Sequence, residues 1–132
     1  VVVGHNRCIA VQAAIDSALG KQPSYIRECD YLRPIVQSLE SVVRETDTSN
    51  LQVFNEKGAR GVTDTENVVR RNVQRSVREI LQKSTAISAL VESGQVGIIG
   101  VLYDVTTGVC HVMNETSHGL AAVKPNDSYE KK

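Results

Sequence analysis

Three consecutive β-branched residues, Val1, Val2 and Val3, run directly into Gly4-His5-Asn6-Arg7-Cys8, and a helix-forming stretch follows at once. Few folds accept this order. The valine run predicts a strand buried on both faces that ends in a tight turn at Gly4. A buried strand followed by a helix is the usual crossover unit of a parallel sheet, so the opening alone points to an α/β architecture. A covered central strand also predicts polypeptide ahead of Val1, because a chain terminus is costly to place inside a core.

The remaining segments continue the alternation. Ile9, Val11, Ala13, Ala14, Ile15, Ala18 and Leu19 fill helix-compatible spacings, and Gly20 supplies the stop. A second helix is predicted from about Tyr31 to Arg33, with Pro34 in its first turn, carrying Leu32, Ile35, Val36, Leu39, Val42 and Val43 and ending before Thr46. Thr46 to Asp64 is polar, with Leu51, Val53 and Phe54 as its anchors. Thr63-Asp64-Thr65-Glu66 fits a capping box, ahead of the stripe Val69, Val73, Val77 and Ile80. A short helix from Ala86 to Ser93 stops at Gly94, and Gln95 to Val105 reads as an apolar strand. Asp104 to Gly108 has turn chemistry, and Val109 to Met113 alternates as the return strand of a hairpin. Polar composition begins after Asn114, which puts His118 in a tail, and Lys124 to Lys132 reads as a frayed end. Residues 1–123 thus form one domain and residues 124–132 a polar tail.

Composition narrows the function. The 132 residues hold 15 Lys and Arg against 15 Asp and Glu, for zero net charge, which argues against a protein that coats nucleic acid through a basic surplus. Arg70, Arg71, Arg75, Arg78 and Lys83 do share one helix face, but no aromatic residues interleave with them and Glu66 and Glu79 partly match them. That face reads as solvated. No run of about 18 apolar residues occurs, so no membrane segment is predicted. The start lacks the basic region and cleavage site of a signal peptide. Cys8, Cys29 and Cys110 are too few for a disulfide framework, so a reducing, cytoplasmic setting is expected.

The one arrangement that suggests chemistry is His5 and Cys8, three residues apart across a strand-to-helix turn. Imidazole nitrogen and thiolate sulfur are both zinc donors, and the free amides at a helix start suit an anionic ligand. Zinc takes four ligands, and this pair supplies two. The residues alone leave two readings open, a packed turn and part of a metal site. Cys110 and His111 are neighbours on a predicted strand, so their side chains face opposite ways and cannot share one ion.

Taken in order, VVVGHNRCIAVQAAID, ENVVRRNVQRSVREI and GQVGIIGVLYDVTTGVCHV resemble the C-terminal two thirds of a β-class carbonic anhydrase. The matching pieces are Gly4-His5-Asn6-Arg7-Cys8, Glu66-Asn67-Val68, and Tyr103-Asp104 with Gly108. The resemblance implies a mostly parallel sheet flanked by helices, lacking the family's N-terminal part. It implies zinc held by His5 and Cys8, with carbon dioxide and bicarbonate as substrate and product. It also implies a dimer or higher homo-oligomer in which another chain buries the exposed sheet edge. The family's third zinc ligand lies in a Cys-x-Asp-x-Arg motif ahead of Gly-His-x-x-Cys, along with the Asp and Arg that orient the zinc-bound water. That segment is absent here. Cys29-Asp30-Tyr31-Leu32-Arg33 echoes it only superficially, at the wrong spacing and position. Ile9 departs from the glycine usual after the zinc-binding cysteine, and its branched side chain is expected to crowd the pocket. The leading functional readings are carbonic anhydrase activity, weak or absent in this chain alone, or a non-catalytic regulatory or assembly module within a longer anion-transporter polypeptide; a nucleic-acid binder using Arg70, Arg71 and Arg75 is a minor third.

Overall fold

The computed structural model describes residues 1–21, 31–46 and 62–120, with side chains from residue 65 onward in the last stretch. Strand β1 spans Val2–His5 and helix α1 Ile9–Ala18. Helices α2, α3 and α4 span Arg33–Glu45, Val62–Lys83 and Thr85–Glu92, and strands β2 and β3 span Ile98–Tyr103 and Cys110–His118. The architecture is α/β, a small mixed sheet with helices, in the strand order β1-β2-β3. Strands β2 and β3 pair antiparallel, as the hairpin signals predict. Predicted features at Cys29, at Leu51, Val53 and Phe54, and in the 124–132 tail lie outside the described residues.

Two compact units are distinguished: Val1–Gly4 with the described residues from Val73 onward, and the described residues of His5–Asn72. The first contains the sheet core. Val77 of α3, Val91 of α4 and Ile98 of β2 form a buried cluster, with Val2, Ile80 and Leu81 packed against it. Each comes from the apolar stripe of its own element, so the periodicities of 3.6 and 2 converge on one face. Gly100 is required here because a Cβ would lie 2.5 Å from Val73 Cγ1 and 2.9 Å from Thr116 Oγ1. Ser84 caps α4, its hydroxyl accepting from the Ile87 amide at 3.3 Å. Within the hairpin turn, the Asp104 carboxylate accepts from the Thr106 amide at 2.8 Å and the Thr107 hydroxyl at 2.9 Å.

In the second unit α1 packs on α2. Val11, Ala13, Ala14 and Ile15 are buried on α1, and Val36, Leu39, Val42 and Val43 on α2. The Ser17 hydroxyl of α1 donates to Glu40 Oε1 of α2 at 2.6 Å. Pro34 occupies the first turn of α2, where its missing amide costs nothing. Gly20 ends α1 with φ +78°, a left-handed conformation that favours glycine.

Three predicted details are corrected. Val1 and Val3 are 80% and 59% exposed, against the burial on both faces expected of the valine run; β1 is an edge strand among the described residues, and its Val2 alternates inward. Strand β3 continues to His118, which is therefore a strand residue. Its alternation is broken by a register shift between Ile98 and Gly100. There the Thr116 hydroxyl accepts from the Gly100 amide at 2.7 Å and donates to the Met113 carbonyl at 2.6 Å. A threonine side chain thus replaces a ladder bond, and the polar sequence conceals the strand. Helix α3 begins at Val62, so the predicted cap residue Thr63 already lies inside the helix.

Candidate metal site

His5 is the last residue of β1 and Cys8 is the residue that caps α1. Asn6 and Arg7 form the turn between them. Cys8 has extended backbone, φ −71° and ψ 113°, and its carbonyl accepts the first helical bond from the Gln12 amide at 3.0 Å. Its sulfur makes no capping hydrogen bond, so the thiol stays available to a ligand. Cys8 forms no disulfide among the described residues and is half-buried, whereas His5 is exposed.

The imidazole is held by its neighbour. His5 Nδ1 lies 2.9 Å from the Asn6 carbonyl oxygen, and since a carbonyl only accepts, Nδ1 is the protonated nitrogen in that contact. In the neutral ring this contact leaves the lone pair on Nε2, the nitrogen that would face a metal, with a backbone carbonyl as the usual orienting partner.

Arg7 has φ +56°, the left-handed region, and no other described non-glycine residue shares it. Ile9, the first helical residue, is 73% exposed beside Cys8. Neither the Arg7 conformation nor the His5–Asn6 bond was foreseeable from residue spacing.

The other sequence candidates stand elsewhere. Cys110 and His111 are exposed, successive residues of β3, opposite Tyr103 and Leu102 respectively. Among the described residues, no group of three or more His, Cys, Asp and Glu side chains comes together to hold a metal. The donor set at the turn is thus one imidazole and one thiol, correct in kind for zinc and two short in number. No described helix is long and apolar enough to cross a membrane.

The predicted basic face is paired in part. Glu79 takes Arg75 Nε at 2.7 Å on one oxygen and Lys83 Nζ at 2.6 Å on the other. These two hydrogen bonds, Lys83's first, lower the Glu79 carboxyl from 4.5 to about 2. Glu79, Lys83, Ser76, Ile80, Ser84 and Ile87 line an open groove of about 410 Å³ that contains neither predicted metal ligand.

No match was found among curated proteins. The family described as carbonic anhydrase matches residues 1–110, which include the strand, the turn with both donors, all four described helices and β2. With that span matched and its Gly-His-x-x-Cys turn at the end of β1, the chain belongs to the carbonic anhydrase family, in its β class.

Proposed function

We propose that this chain carries part of the metal centre of a β-class carbonic anhydrase, with His5 Nε2 and Cys8 Sγ as two ligands of one zinc ion. The reaction of the complete protein is reversible hydration of carbon dioxide to bicarbonate. The observation that carries this reading is the turn itself: an imidazole fixed by the Asn6 carbonyl and an uncapped thiol, three residues apart. When bound, zinc supplies Lewis-acid activation of water. The chain's own contribution is to hold the metal with two donors and to set the ring orientation through Asn6. The remaining ligands come from outside the described residues, and a Cys-x-Asp-x-Arg segment is the source that the family resemblance implies. With two ligands only, turnover is weak or absent. The reading is completed by a cytoplasmic location and a dimer or higher homo-oligomer.

Ile9 favours a second reading, a non-catalytic carbonic anhydrase-like module with a regulatory or assembly role, for instance within a longer anion-transporter polypeptide. A bulky aliphatic stands 73% exposed beside Cys8, where the family usually has glycine. Stopped-flow carbon dioxide hydration at saturating zinc separates the two, on the longest natural polypeptide that carries these residues. The enzyme reading expects turnover that Cys8→Ser abolishes. Absence of turnover in zinc-loaded protein favours the module.

A further inference from the structure

The geometry points to Arg7 as a positioning residue for the His5–Cys8 pair, acting through its left-handed backbone and not through its charge. This rests on the reading that the two donors share one ion. Arg7 is the third residue of the four that run from His5 to Cys8. A positive φ at that position marks a subset of four-residue turns, and it is ordinarily met by glycine or asparagine. Here φ is +56° at an exposed arginine, a conformation that Cβ makes unfavourable for most side chains. The cost is accepted at the one place where the chain must turn from the last residue of β1 to the cap of α1 with both donors available. Unfavourable backbone of this kind persists where surrounding structure and function hold it.

The consequence is a link between residue 7 and metal affinity. A side chain that tolerates the left-handed region keeps the turn ready, whereas a β-branched one shifts the metal-free protein to other turns. Apparent affinity then falls by the fraction of molecules left competent. The guanidinium itself has no part in this, so losing its charge is harmless when the backbone preference is kept.

The test is metal titration of the longest natural polypeptide carrying these residues, with zinc by competition and with cobalt by the thiolate-to-metal absorption band. The variants are Arg7→Gly, Arg7→Asn, Arg7→Ala and Arg7→Val. Glycine and asparagine are expected to bind within about threefold of the parent or tighter, and valine about tenfold or more weakly at unchanged helix content. If Arg7→Val does not fold, the order Gly and Asn above Ala carries the same test. Affinity indifferent to the series, or Gly and Asn as weak as Val, overturns the inference. Cys8→Ser is the control on the parent reading: if it leaves metal binding intact, the shared-ion reading fails, whereas loss in Cys8→Ser with indifference at residue 7 overturns the role of Arg7 alone.

Discussion

The sheet face packed against α3 and α4 and the exposed positions among the first nine residues are made of the same aliphatic side chains and fare oppositely. On the first, Ile98 is 6% exposed, Val91 8% and Val77 1%. Along the first nine residues, Val1, Val3 and Ile9 stand 80%, 59% and 73% exposed, the three most exposed large aliphatics among the described residues. An apolar pattern makes a residue fit for burial, but an element on that face is what buries it. Surface apolar residues gain nothing from the hydrophobic effect until water is removed from them.

Truncation on each side gives the sharpest contrast. Ile98→Ala is expected to cost about 2–5 kcal/mol, because it leaves a cavity beside Val77 and Val91 as well as losing transfer energy. Val3→Ala should lie within about 0.5 kcal/mol of the parent, as at other exposed sites. Chemical denaturation of both variants checks the pair, and comparable losses would break the contrast.

A smaller effect is expected at the edge of the covered region, where Glu79 bridges Arg75 and Lys83 on the surface of α3. Its carboxyl is lowered from 4.5 to about 2, so the folded state releases the proton more readily than the unfolded one. The stabilisation is therefore fully present above about pH 4.5 and is lost as pH falls toward 2. Glu79→Gln should melt below the parent at neutral pH, the gap narrowing through that window and also shrinking with added salt, since the bridge stays partly open to solvent. Thermal melts across pH that keep a constant gap would contradict the assignment.

Much of the fold was legible because its signals are local. Pro34, Gly20 and Gly94 mark helix boundaries through backbone restrictions that do not depend on context, and Asp104 to Gly108 carries its turn in its own side chains. Exposure of Val1 and Val3 was not legible, because it depends on how many neighbours β1 has, and sequence period reports only alternation. The continuation of β3 was hidden because Thr116 supplies with its hydroxyl what a backbone group would otherwise supply. At the candidate site the two donors were visible by type and spacing. The turn that serves them was not, since an arginine gives no sign of a positive φ where glycine or asparagine would.

Metal content tests the central claim most directly. Protein purified with zinc, and separately with cobalt, is assayed for bound metal in the parent, His5→Ala and Cys8→Ser forms of the longest natural polypeptide carrying them. The account predicts one ion per chain in the parent, its loss in both variants, and a cobalt–thiolate band that disappears with Cys8. Fully folded parent that takes up no metal, or a stoichiometric ion retained in both variants, would contradict it.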